Sequence, residues 1–423
     1  MYYMKQLLFY LTIITVFVAA CSPRQKVEGG SLPYIDVKNK YPQKDIYLTD
    51  IAEVTYFVAC SDDADFLYSG AIKYITENTI VINNKSSQQD GTIFFFSKDG
   101  TPKSRFNRSG RGSEEYSPNI RFVIYDEAAD DVFLRDRNSH SPIRVYSSTG
   151  KYKRAISNLF QEPEIRLDEP VSFDDQSFVF FDYYKEWRRS MTHRGDWAAD
   201  GYVAPFYRIC KTDGAVLEHF EIPHSPIFIG GNRYEVPEKG VALRGVYNRI
   251  IKCAEGVRLA IPEVDTIFLY KPDGSRTPVM HQIPSVRSLN PMVFLDNYID
   301  FGHYQCLEVA THYKDKETNF DQELFMQGGY RPDLIVLPRE HYIRDKETGE
   351  IVRAKFLLPD YKGKELIFSF RYNCINEHLF LELDLSELKQ AYRENKLSGK
   401  LKDLVATLDE VKDNNIFVIL NLK

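Results

Sequence analysis

Residues 93–106 read I-F-F-F-S-K-D-G-T-P-K-S-R-F: four strand-forming residues, a polar stretch holding Asp99-Gly100, and a second run ending in Phe106. Glycine reaches φ > 0 without a Cβ clash, and Asp just before it tolerates a tight turn, so this stretch predicts a β-hairpin. The unit recurs. Residues 143–156 read I-R-V-Y-S-S-T-G-K-Y-K-R-A-I, 207–220 read Y-R-I-C-K-T-D-G-A-V-L-E-H-F and 267–280 read I-F-L-Y-K-P-D-G-S-R-T-P-V-M. A weaker copy spans 342–356, with Lys346-Glu347-Thr348-Gly349 as its turn. The turn glycines Gly100, Gly150, Gly214, Gly274 and Gly349 lie 50, 64, 60 and 75 residues apart. Hairpin repeats of that order mark a β-propeller whose extra residues sit in loops.

Upstream of each hairpin a second strand pair can be read, for example Phe122 to Tyr125 with Asp131 to Leu134 across the turn Asp126 to Asp130. Four strands make one blade. Five such units plus strands within Leu366 to Leu383 give six blades, an all-β, six-bladed propeller. A β-sandwich explains the regular glycine spacing poorly. The chain contains 28 Phe and 28 Tyr, mostly in short alternating runs, as strands require. The C-terminus adds a short helical insertion at about 385–413: Leu385, Leu388 and Tyr392 share one face, and Leu401, Leu404, Val405, Leu408 and Val411 follow helical spacing. Asp384 with Glu387 reads as a capping box. A ring of blades leaves open edges unless the termini meet, so Ile46 to Phe57 or Ile416 to Leu422 is expected to complete a mixed blade.

The N-terminus gives an address. Leu7 to Ala20 is an apolar run broken only by Thr12 and Thr15, preceded by Lys5. It falls short of the ~20 residues that span a bilayer and fits a secretory signal over 1–20. The run ends in Val18-Ala19-Ala20-Cys21, so Cys21 is the expected lipidation site, followed by a polar tether over 21–42 and the propeller over 43–423. Stable attachment follows from several acyl chains on one residue. With 60 acidic and 54 basic residues and no long run of either sign, a nucleic-acid surface is excluded as an expectation. Cys60, Cys210, Cys253, Cys306 and Cys374 are scattered and odd in number, which suggests buried free thiols rather than a disulfide framework.

With these repeats, the chain resembles the six-bladed propeller lipoproteins of Bacteroides-type bacteria, most of which have no assigned activity. The likeness runs from Ile46-Tyr47-Leu48-Thr49-Asp50-Ile51 and Val54 to Val58 to the closing strand after Asp413-Asn414-Asn415. Its most specific stretch is Gly110-Arg111-Gly112-Ser113-Glu114-Glu115-Tyr116, where the family usually has G-x-G-P-G-E-Y; Ser113-Glu114 replace Pro-Gly. Val132 to Tyr146 is similar to NHL-type repeats. The resemblance implies the fold and an envelope location, with the outer membrane expected, and leaves activity open.

Candidate sites are few. The Gly110 to Tyr116 loop lacks the Gly-Lys-Ser/Thr ending of a phosphate loop, and reads as a blade-to-blade crossover anchored by Tyr116. The strongest functional candidate is the long connection holding Tyr183, Tyr184, Trp187, Arg188, Arg189, His193, Arg194 and Trp197, which contains both tryptophans of the chain. Aromatic faces beside Arg donors suit glycans, peptides or anionic groups. Among the nine histidines, including His303, His312 and His341, none pairs at i, i+2 or i+4, so a metal site would have to be assembled across blades. No metal or other cofactor is therefore assigned. Asp126-Glu127, Asp130-Asp131 and Asp62-Asp63 with Asp65 read as solvated turn acids. No catalytic residue is assigned, because neither a serine elbow nor a Cys-His arrangement is present. The expected function is a monomeric, membrane-anchored binding or scaffold module for a glycan, peptide or protein. The alternative is a propeller lyase or hydrolase, with or without a metal, built from His and carboxylates at a channel mouth.

Overall fold

The computed structural model describes residues 32–59, 70–84, 90–137, 141–157, 170–182, 206–222, 234–235, 242–243, 249–261, 264–312, 339–409 and 414–422. Six sheets form the blades of a propeller. The first runs through Gly70–Ile75, Thr79–Asn84, Ile93–Ser97 and Pro102–Phe106; the second through Ile120–Asp126, Asp131–Asp136, Ile143–Tyr146 and Tyr152–Ile156. The third contains Val171–Ser172, Ser177–Phe181, Phe206–Cys210 and Val216–Phe220. The fourth contains Ile250–Cys253, Gly256–Leu259, Thr266–Tyr270 and Arg276–Ile283; the fifth Met292–Phe301, Tyr304–His312, Arg339–Asp345 and Ile351–Leu357.

The sixth blade closes the ring. Cys374–Ile375, His378–Leu383 and Ile416–Leu422 come from the C-terminus, and Ala52–Phe57 from the N-terminus supplies the outer strand, antiparallel with Phe57 opposite Phe417. Both segments expected to meet do so, but the N-terminal one divides. Gln43–Tyr47 adds a parallel fifth strand to the fifth blade, and Tyr34–Asp36 does the same for the fourth, ahead of the boundary read at 43. Within Leu366 to Leu383 the strand reading holds only from Cys374 onward; Phe370–Asn373 is a helical turn, ended where Cys374 returns to extended backbone.

Every recurrent hairpin forms the third and fourth strands of its blade. Gly100, Gly150, Gly214, Gly274 and Gly349 all take positive φ, between 73° and 90°. In three of these turns the preceding Asp99, Asp213 or Asp273 accepts the backbone N–H two residues on, at 2.8–3.0 Å. Hydrogen bonding from Ser97 and Thr101 holds the Asp99 carboxyl low, at about 2. In the helical insertion, Asp384 caps Leu385–Arg393 through Ser386 and Glu387 N–H, while Glu387 turns away to pair with Lys364. Leu385, Leu388, Leu401 and Val405 are buried in one apolar cluster that also holds Ile46, Leu48 and Ile416.

The blades have two unlike ends. Connections between first and second strands, and between third and fourth, lie at one end and are two to five residues long. Those between second and third strands, and all blade crossovers, lie at the other and run from six to thirty-two residues. Among the described residues, Tyr116 anchors one such crossover: it is 0% exposed, its hydroxyl donates to the Gly91 carbonyl at 2.7 Å, and its ring meets Phe106 and Tyr146 edge-on. The packing role read for the Gly110 to Tyr116 loop is what the structure shows.

Candidate functional site

The turn end is stapled from blade to blade. Glu127 accepts Thr76 and Thr79 hydroxyls and pairs with Lys103 of the first blade, and these bonds outweigh burial to bring its carboxyl down to about 2. Lys211 of the third blade lies 3.7 Å from Asp126, and Lys252 of the fourth donates to the Phe173 carbonyl. Arg258, 4.4 Å over the Tyr298 ring, pairs with Asp300 of the fifth blade and reaches Glu377 of the sixth at 3.9 Å. Asn376 donates to Ile75 O at 2.9 Å and returns the circuit to the first blade. The acids at 126, 127 and 131 are therefore structural partners rather than merely solvated ones: Asp131 binds Lys153 and Arg154 at 2.7 and 2.9 Å. Asp62, Asp63 and Asp65 lie outside the described residues, as do Cys21 and Cys60. The remaining cysteines, Cys210, Cys253, Cys306 and Cys374, are free thiols.

The candidate insertion holding Tyr183, Tyr184, Trp187, Arg188, Arg189, His193, Arg194 and Trp197 lies outside the described residues. The strand ends that it joins, Phe181 and Phe206, are at the loop end of the third blade. Beside its root stands Arg249, 2% exposed, with its guanidinium 5.2 Å from the Phe181 ring.

From Arg249 the charge leads inward to a cluster that sequence reading missed. In the fifth blade a register shift between Leu295 and Asn297 places Asp296 at a bulge on the innermost strand, a device that re-aims a side chain. Glu308 sits opposite His341 on the neighbouring strand. Arg339 bridges the two acids, 2.8 Å from Glu308 and 3.2 Å from Asp296. His341 Nε2 lies 3.3 Å from Glu308, which also accepts the Phe370 N–H at 2.9 Å and the Ser369 hydroxyl at 3.4 Å. Both carboxylates are within 1% of complete burial.

Burial pushes both acids upward, yet they part company. For Glu308 the His341 hydrogen bond and the Arg339 charge prevail and hold the carboxyl low. For Asp296 burial prevails over Arg339, and the Glu308 charge adds to it, so its carboxyl titrates well above the usual carboxylate range. The Asp296 Oδ1 atom has no hydrogen-bond partner. Two acids with divergent proton affinities are the pattern of acid and base roles. A signal was available: Glu308 interrupts Cys306-Leu307-Glu308-Val309-Ala310, and Asp296 breaks the apolar run Val293-Phe294-Leu295. Of the histidines named from sequence, His341 joins this cluster, His303 pairs at 3.3 Å with Glu347 on the exposed turn end, and His312 ends a strand of the same blade. Among the described residues no group of three or more His, Cys, Asp or Glu could hold a metal ion.

No family model and no curated protein sequence matches the chain. Solved structures do. One, a protein whose name gives it only as a candidate exported protein of Bacteroides fragilis NCTC 9343, aligns over 93% of this chain and 100% of its own at 13% identity, with a TM-score of 0.58. A member of the DUF4221 family from Bacteroides vulgatus ATCC 8482 aligns over 88% and 98% at 12% identity, TM-score 0.43. At 13% identity the Bacteroides fragilis likeness shows the fold alone, and with the six sheets described above the class is a six-bladed β-propeller.

Proposed function

We propose that this chain is an exported lipoprotein, anchored through Cys21, that binds a glycan, peptide or protein through the loop end of its propeller. One observation carries the reading: every connection at one end is a turn of five residues or fewer, while every long connection opens at the other. Chain length without a role in closing blades is concentrated where a rigid platform can present it. The signal-like Leu7 to Ala20 run, the Ala19-Ala20-Cys21 ending and the exported description of the Bacteroides fragilis neighbour support the address. Among the described residues no helix is long and apolar enough to cross a membrane. The module acts as a monomer at the outer membrane, without a cofactor or nucleic acid.

The test is a glycan and peptide array probed with the wild-type chain and with Trp187→Ala/Trp197→Ala. A hit that weakens at least tenfold in the double variant supports the reading; a hit of unchanged affinity removes the insertion from it. A second reading, a lyase or hydrolase, is favoured by the divergent Asp296 and Glu308 carboxyls alone. It requires turnover that Asp296→Asn abolishes while binding persists.

A further inference from the structure

We infer that the rim of the fourth and fifth blades is a membrane-contact surface, so that the anchored propeller stands edge-on to the bilayer with both ends of its channel free. This rests on the proposed Cys21 anchor and adds an orientation to it. The N-terminal segment enters the fold as Tyr34–Asp36, the outermost strand of the fourth blade, and passes to Gln43–Tyr47, the outermost strand of the fifth. Only twelve residues separate Cys21 from Tyr34. At ~3.3–3.6 Å per extended residue they reach about 45 Å at most, so the rim is the part of the fold held closest to the lipid.

What that rim exposes suits a headgroup layer. Tyr34, Tyr47 and Ile283 are 49%, 46% and 39% exposed and are among the few large apolar side chains that the described surface shows. Tyr34 and Ile283 belong to alternate register pairs, Tyr34 opposite His281 and, two positions on, Asp36 opposite Ile283, with the Tyr34 and His281 rings 5.5 Å apart. Between the two strands Lys38 and Lys40 are exposed, and Lys44 follows; Asp45 is the one exposed acid from 34 to 47. Amphipathic rings with flanking lysines are what an anionic interface selects. A second copy of the chain fits less well, because the free edges offered for pairing are only three and five residues long.

The full-length acylated chain, reconstituted in vesicles of phosphatidylethanolamine and phosphatidylglycerol, is compared by hydroxyl-radical footprinting with the unacylated Cys21→Ser chain in solution. Sedimentation with the vesicles is read first. Labelling of Tyr34, Tyr47 and Ile283 should slow at least threefold on the vesicle, while Val216 and Leu217 at the turn end and Ile367 at the loop end stay unchanged. The charge variant Lys38→Glu/Lys40→Glu/Lys44→Glu should stay anchored and lose most of that protection. Protection at Ile367, or at Val216 and Leu217, in place of the rim overturns the edge-on orientation, and so does an anchored chain with no protection. Concentration-dependent protection in the soluble Cys21→Ser chain would assign the rim to self-association and also overturn it. An acylated chain that does not sediment removes the anchor itself.

Discussion

The two ends of the propeller are made from the same strands and obey different rules. At the turn end, short connections bring charged side chains of different blades within reach: Glu127, Lys211 and Lys252 link the first four blades in sequence, Arg258 of the fourth joins both the fifth and the sixth, and Asn376 returns to the first. At the loop end the connections are long and carry exposed charges such as Arg111, Glu114 and Lys362, while Ser369 and Phe370 of one crossover reach in to buried Glu308. The turn end is closed by contacts between blades, and the loop end holds the chain length that closing the blades does not use. That division is the physical basis for placing the ligand at the loop end.

The comparison breaks most visibly at Glu308. Replacing it by Ala leaves Arg339 buried against an acid that resists ionisation, and removing one partner from a buried ionic network costs about 3–5 kcal/mol. The denaturant midpoint of Glu308→Ala should fall accordingly, and an unchanged midpoint would show that the cluster holds nothing together. A smaller effect separates two turns of one design. Gly150 and Gly274 share positive φ, but a Cβ at 150 would meet the Phe106 Cβ at 2.5 Å, whereas at 274 nothing stands within 4 Å. Gly150→Ala should cost about 2–4 kcal/mol and Gly274→Ala about 1 kcal/mol in the same titration.

The smallest effect is one of sign. The Glu127 carboxyl is lowered in the fold, so its contribution is whole above the ordinary carboxylate pKa and is lost as pH falls toward about 2. Asp296 is raised, so folding favours its protonated form; its contribution is present at acid pH and is lost as pH rises through its elevated pKa. Melting curves of Glu127→Gln should therefore lose the acid-side slope of the wild type, and those of Asp296→Asn the opposite slope on approach to neutral pH. Slopes of the same sign would contradict the environments described for the two acids.

Much of this was legible in the sequence because a tight hairpin writes itself locally. Asp99-Gly100 and its copies state a turn, flanking strands and a repeat within fourteen residues, and six blades follow by counting. The helical insertion and the closing strand Ile416–Leu422 were legible for the same reason, since apolar periodicity survives without tertiary context. The parallel additions at Tyr34–Asp36 and Gln43–Tyr47 were not: a strand of three residues that pairs with one some 250 positions away leaves no local pattern. The Asp296, Glu308, Arg339 and His341 cluster failed for a related reason. Its members lie on three strands of one blade, brought together by the pairing register of Glu308 with His341 and by the register shift at Asp296. The turn acids at 126, 127 and 131 were found but their role was not, because the cations they bind belong to other strands or other blades.

The most direct test of the division between the ends is a hydrogen-exchange footprint of the full-length chain with and without a ligand found on the array. The account predicts slowed exchange at the loop end, in residues 107–119, 260–265 and 358–369 together with the connection 182–205, and none in the turns at 98–101, 147–151 and 271–275. Protection centred on those turns, with the long connections unchanged, would contradict it.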